Sequence, residues 1–234
     1  MQIRNLLSSV FLMFLGTIFL LTLTNCKKNS IEIQQPAPIA VTDIDGNGYH
    51  AVTIGTQVWL VENLKVTKYL NGDPVPNITS NTAWNNTNGA CCWYHNDIAN
   101  KTDFGALYNW YTLVDSRNLA PVGWHIPSDA EWATLTAILG GISVAGGKMK
   151  ETGTTHWSSP NSGATNSSGF TALPAGARDI DGLFDFLGGY TYFWSSTQDD
   201  SATAWSRYLL PYNGNIIRGH FDKSYGFSVR CIKD

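Results

Sequence analysis

Cysteine, histidine and carboxylate are the side chains with which this 234-residue chain could hold a metal, attack a bond or move a proton. Cysteines stand at 26, 91, 92 and 231. A structural zinc takes about four Cys or His ligands at short spacing. No such cluster occurs, so no metal is assigned. With Cys26 set aside for the reason given below, three thiols remain. In an oxidising compartment, one bridge and one free thiol is the simplest arithmetic. Cys92 with Cys231 would close a long loop and pin the C-terminal strand. Cys91 with Cys231 serves nearly as well, and a vicinal Cys91–Cys92 bridge is a third, strained option. Hydrolysis by a nucleophile needs a base and an orienter in contact with it, and the chain has no Gly-x-Ser-x-Gly. His125, just before a helix, reads as structural. His156, beside Trp157 in a loop, is the better site residue. Paired carboxylates for glycoside hydrolysis could come from Glu131, Asp179, Asp181 or Asp185, but Glu131 is already engaged as a helix cap. No catalytic residue and no cofactor is assigned.

Recognition asks for less: aromatic faces to stack on, and amides or hydroxyls to donate and accept. The loops offer Trp84, Trp157, Asn161, Asn166 and Tyr190. Trp194 and the Trp205–Tyr208 stretch could complete the same face. The expected ligand-binding set is His156, Trp157, Asn161, Asn166 and Trp194, gathered by the long, polar, almost uncharged loop at 154–166. That mixture suits a neutral polar ligand, a glycan or a peptide. The competing expectation is that Trp157 plugs the loop into the core. The core is also where most of the nine tryptophans are expected, because aromatic rings bury large areas.

Elements must hold these residues in place. Asp43, Asp45, Asn47 and Gly48 match the opening of a calcium loop, yet Ile54 stands where the bidentate Glu belongs. A strand pattern follows, so the segment reads as a turn between strands. Residues 57–69 continue in β pattern. Residues 104–113 carry helical spacing. Ser128 with Glu131 is a capping box, followed by the apolar stripe Trp132, Leu135, Ile138 and Leu139, and Gly140-Gly141 ends that helix. Residues 142–150 suit another short helical turn. Residues 153–169 are a long irregular loop. Asn213-Gly214 between two alternating runs marks a hairpin, and residues 226–232 form a last strand.

Composition sets the bounds. Hydrophobic residues make up 43 %, enough for a core. Only 14 % are charged, against about a quarter in ordinary soluble domains. A formal net charge of −3 gives no electrostatic reason to bind nucleic acid. At the N-terminus, Arg4 precedes an apolar run at 6–23 that ends in Leu23-Thr24-Asn25-Cys26. This is the anatomy of an export signal. A cysteine at that point resembles the lipobox of bacterial lipoproteins, in which it becomes the lipidated first residue, although Asn25 replaces the usual small residue. The alternative is a transmembrane anchor, since a span needs about 20 apolar residues. Residues 1–25 are read as the signal, 26–40 as the lipidated N-terminus and linker, and 41–234 as one domain. The expected location is the bacterial cell envelope, with the membrane as partner through the lipid.

A family resemblance covers that domain. The segments DIDGNGYHAVTIGTQVWLVENLKVTKY, FGALYNWYTL, PVGWHIPSDAEWATL, GGKMKETGTTHWSSPNSGATNSSGFTALPAGARD, YFWSSTQ and YGFSVRCIKD occur in order. They resemble the Fibrobacter succinogenes major paralogous domain, whose members are typically exported, often lipoproteins, and mostly without an assigned activity. Where that family often has Cys-Pro, this chain has Ala120-Pro121, which removes the usual partner of Cys231. A weaker resemblance to formylglycine-generating-enzyme domains implies the C-type-lectin-like fold: α+β, with a small twisted antiparallel sheet, two helices and extensive irregular loops. An oxidase of that kind needs a metal-holding cysteine pair, and adjacent Cys91 and Cys92 would point to opposite faces of a strand. Ser159-Pro160-Asn161 replaces the Glu-Pro-Asn of calcium-dependent lectins, so calcium-dependent sugar binding is not expected. The expected function is a surface-anchored recognition or structural domain. The alternative is an exported enzyme acting on glycans or peptides.

Overall fold

The computed structural model describes residues 39–234. The expected signal at 1–25, Cys26 and most of the linker lie outside the described residues. Strands β1 (Val41–Thr42) and β2 (Gly48–Tyr49) pair across the turn read from the sequence. The Asp43 carboxylate accepts from the backbone amides of Asp45 and Asn47, from Asn47 Nδ2 and from the Tyr49 hydroxyl. Its oxygens are occupied in shaping the turn.

Strands β3 (Ala51–Ile54) and β4 (Gln57–Leu60) form a hairpin. Then come a helical turn α1 (Asn81–Trp84), strand β5 (Cys91–Cys92), α2 (Lys101–Phe104), β6 (Leu107–Tyr108), α3 (Trp110–Leu113) and β7 (Trp124–His125). Helix α4 (Asp129–Ile138) and α5 (Ala145–Met149) follow. After the 153–169 loop come β8 (Ala175–Arg178), β9 (Phe184–Leu187), β10 (Thr191–Gln198), β11 (Thr203–Leu209), β12 (Ile217–Asp222) and β13 (Ile232–Lys233).

Two sheets organise the domain. One runs β3-β4-β13-β7 and is antiparallel. The other runs β12-β11-β10-β8-β9, with β8 and β10 parallel and the remaining pairs antiparallel. The chain is therefore α+β, but with two principal sheets where one antiparallel sheet was expected. The terminal segment joins them: Gly226 bridges to Arg178, Phe227 to Tyr108 and Ser228 to Phe193, before β13 enters between β4 and β7.

Helix α4 carries both arms of the capping box: Ser128 Oγ accepts from the Glu131 amide, and Glu131 accepts from the Ser128 amide at 2.7 Å. Gly140 and Gly141, both at positive φ, end it. The hairpin at Asn213-Gly214 is present, with Tyr208 opposite Ile217. Two expectations fail. Only Gln57–Leu60 of the 57–69 run is strand. The helix expected over 104–113 is broken, because Tyr108 pairs with Phe227 and Asn109 caps a fresh turn by accepting from the Thr112 amide. Among the described residues only α4 exceeds five residues, so the second helix of the expected pair is a single turn.

Eight of the nine tryptophans are buried, and Trp205 is half-buried. Trp59, Trp132, Phe170 and Phe193 pack ring on ring beneath α4, with centroids 4.7 Å apart for Trp59 and Trp132. Irregular segments are held by buried cations. The Arg230 guanidinium donates to the carbonyls of Leu60, Phe170 and Thr171 and to Asn63 Oδ1. Arg178 donates to the carbonyls of Ile78 and Gly182 and lies 4.3 Å above the Trp84 ring. A fully buried cation is tolerated when each donor finds an oxygen.

Cys91, Cys92 and Cys231 are buried free thiols, so the expected Cys92–Cys231 bridge is not formed. The reason is placement. Cys91 and Cys92 alternate across β5, and Cys92 packs with Trp84, Tyr94 and Leu107, whereas Cys231 belongs to the central cluster. Burial pushes both Cys91 and Cys92 up to about 12, which keeps them as unreactive thiols.

Candidate binding site

The loop at 153–169 does not present the face expected of it. Trp157 is 1 % exposed, and its Nε1 donates to the Ala172 carbonyl at 2.9 Å. It is a core plug, with the Lys150 ammonium 5.3 Å from its ring. Lys150 Nζ donates to the carbonyls of Ser162, Leu210 and Asn213 at 2.9–3.0 Å, fastening the loop from below. Asn161 is buried and donates to the carbonyls of Glu151 and Gly153. Asn166, at φ +47°, exchanges two bonds with Thr171. Trp194 is fully buried, its Nε1 donating to the Tyr108 carbonyl. Four of the five expected ligand-binding residues thus have their donors turned to the protein's own backbone or side chains, while Asn161 Oδ1 is buried without a partner. For the three in the loop the physical cause is the same: a loop this long needs internal partners for its buried polar groups, whereas Trp194 is core because it lies in β10.

His156 is half-buried, with Nδ1 2.9 Å from both oxygens of Glu151. A base and a carboxylate therefore meet, as an enzyme would require, but neither lines the cavity described next. Trp205 is covered by Arg218, 3.2 Å from its ring, and by a stacked His220, so it offers no free platform.

A different part of the molecule gathers aromatic faces. Beside β9, Ala177, Asp179, Asp185, Phe186, Tyr192, Phe221, Tyr225 and Phe227 line a cavity of about 270 Å³. Its floor is a stack: Tyr192 lies parallel to Phe227 at 4.7 Å and against Tyr208 at 5.4 Å. Phe221 meets Phe227 edge-on at 5.1 Å, and Tyr225 sits 5.5 Å from Phe227. Such offset and edge contacts fix ring orientation as well as burying area. The outer wall is Phe186, which is 50 % exposed and stacked on Tyr190 at 4.7 Å.

Local backbone explains that wall. Phe186 has φ +67°, a conformation costly for an aromatic residue. Across the β8–β9 pair, Gly176 also has positive φ, and a Cβ there would lie 2.5 Å from the Asp185 carbonyl. The glycine lets β9 press close while Phe186 turns outward. The preceding turn is closed by Asp179 Oδ1, which accepts from the Leu183 amide at 2.8 Å.

Polar groups in the cavity are left open. Tyr192 is 7 % exposed, yet its hydroxyl bonds to no described residue. Burial and then neighbouring tyrosines raise its pKa, so it stays a neutral donor. Burial raises Tyr225 as well, helped by nearby acids, of which Asp179 and Asp185 line the cavity with it. Among the described residues, no three His, Cys, Asp or Glu side chains converge as metal ligands would.

Asp179, Asp181, Asp185 and Tyr190 stood out in the sequence, but the cavity as a whole did not. A signal was present: Phe184, Phe186, Tyr190 and Tyr192 are four aromatics within nine residues around Gly188-Gly189.

Comparison with known proteins gives one match. The family model described as the Fibrobacter succinogenes major domain matches residues 52–233, a span that holds every residue of the cavity. No curated protein and no solved structure matches the chain.

Proposed function

The chain belongs to the Fibrobacter succinogenes major domain family, and on that footing we propose that the domain is a non-catalytic recognition module that seats a glycan or peptide group in the aromatic cavity. The observation that carries this reading is the meeting of stacked rings with unpartnered hydroxyl and carboxylate oxygens. Buried polar groups ordinarily find partners within the protein. A ligand would supply the ones missing here. A volume of about 270 Å³ admits one sugar ring or one side chain rather than an oligomer. The test is a glycan and peptide array probed with the full chain and with Phe186→Ala. Hits lost in the variant support the reading, and hits retained at full strength sink it.

The anchoring reading belongs with it. Cys26 as a lipidated first residue would tether the domain to the cell envelope through the polar, proline-bearing linker. Cys26→Ser should abolish labelling by a fatty-acid probe and release the protein from membranes; unchanged labelling rejects the idea. The architecture is proposed to be a C-type-lectin-like arrangement, in which loops and sheet edges carry the ligand. Fold analogy alone transfers no activity.

A second reading rests on one observation: Asp179 and Asp185 share the cavity wall, and two carboxylates flanking a sugar are what glycoside hydrolysis uses. Release of reducing ends from array hits, lost in Asp185→Asn, would turn the module into an enzyme.

A further inference from the structure

We propose that the cavity beside β9 selects an organic ammonium group, held by cation–π contact with its rings and by the carboxylates at its rim. The inference rests on the recognition reading above and deepens it from a site to a ligand chemistry.

Three observations carry it. First, the rim is acidic without internal compensation. Asp179 and Asp185 both line the cavity, yet neither forms an ion pair among the described residues. The Asp185 carboxylate accepts no hydrogen bond from a described residue either. Two carboxylates without a cationic partner thus share one small cavity. Other acids are matched by arginine: Asp129 takes Arg207 and Arg218, and Asp115 takes Arg117. Like charges left together disfavour the folded state unless something of opposite sign offsets them.

Second, the walls are aromatic. Ring faces attract cations through their quadrupole, and this attraction grows when water is excluded. The protein uses the contact on itself, with Arg178 over Trp84 and Arg218 over Trp205. No Lys or Arg of the described residues lies over Phe186, Tyr190, Tyr192, Tyr225 or Phe227. Third, Tyr192 lines the cavity and its hydroxyl bonds to no described residue, so it can serve a ligand.

A bare metal ion fits poorly, since the acids do not converge and the walls offer rings where a hard cation needs oxygens. An anion would meet the acids head-on. A neutral sugar would use the rings but leave the charges unanswered. An alkylated or primary ammonium answers both.

The experiment is an NMR shift titration of the full chain with choline and with its uncharged tert-butyl isostere, at fixed ionic strength. The two differ only in charge at the same shape. Choline should move resonances of Phe186, Tyr192 and Tyr225 and bind at least tenfold more tightly than the isostere. Asp185→Asn should weaken choline at least threefold without shifting the melting curve. Glucosamine against N-acetylglucosamine, and lysine amide against its side-chain-acetylated form, separate an amino sugar from a lysine side chain as the natural bearer. Preference for the free amine in either pair supports the inference. Equal binding of choline and the isostere overturns it while leaving the cavity a recognition site. If neither these probes nor any array hit moves those three residues, both the inference and the recognition reading fall.

Discussion

The 153–169 loop and the cavity beside β9 are built from similar material, and they end in opposite states. Each combines aromatic rings with polar side chains on an irregular or edge segment. In the loop, Trp157 donates to Ala172, Asn161 to Glu151 and Gly153, and Lys150 to three carbonyls. In the cavity, the Tyr192 hydroxyl and the Asp185 carboxylate have no partner among the described residues, and Phe186 is held outward at φ +67°. The difference lies in access rather than composition: the loop's one unpartnered oxygen, Asn161 Oδ1, is shut in, whereas those of the cavity face open space. A polar group already bonded to its own backbone is a fastening. One left open beside an aromatic wall is a place for a ligand.

That contrast can be broken most forcefully at Trp157. Trp157→Ala removes a buried ring and its bond to Ala172, and should cost roughly 3–5 kcal/mol in denaturant melts. A variant that melts like the parent would mean that the ring is a surface platform after all.

Lys150 offers the next largest effect. Burial pulls its ammonium down to about 8 from an ordinary 10.5. Between those values the unfolded chain holds more protons than the folded one, so stability from this group rises with pH across that window. Lys150→Met leaves three carbonyls without their donor, a loss of about 1–3 kcal/mol, and should erase the slope. Stability of parent and variant measured from pH 7.5 to 10.5, a range of about three pH units around that window, checks both statements; parallel curves reject the account of Lys150.

Helix α4 calibrates the scale, because it belongs to neither region. Ser128→Ala removes one arm of the capping box and should cost about 1 kcal/mol. The smallest stability change is expected in the cavity wall. Phe186→Ala alters a half-exposed side chain in an unfavourable backbone conformation and should stay within about 0.5 kcal/mol of the parent. A loss approaching that of Trp157→Ala would show that the wall is core, and the contrast between the regions would vanish.

What could be read from the sequence follows from the range of the interactions involved. The capping box, the Gly140-Gly141 stop, the turn at Asp43 and the Asn213-Gly214 hairpin are local, and all four formed as expected. The identity of the 153–169 loop was also legible. Its direction was not, because the burial of Trp157 depends on Ala172 and on Lys150 reaching Leu210 and Asn213. The cavity was hidden for the same reason. Its residues run from 177 to 227, and the sheet order β12-β11-β10-β8-β9 with the terminal segment brings them together. The cysteine arithmetic failed because it counted thiols without knowing that Cys92 and Cys231 pack in different clusters.

The central claim is that recognition resides in the cavity and not in the loop. Its most direct measurement is the binding of one array hit to the full chain, to Phe186→Ala and to His156→Ala, with folding of each verified by melting. The account predicts that Phe186→Ala loses at least tenfold in affinity while His156→Ala, which alters the half-exposed residue of the loop, binds like the parent. Loss of binding in His156→Ala with Phe186→Ala unaffected would return the site to the loop and contradict the account.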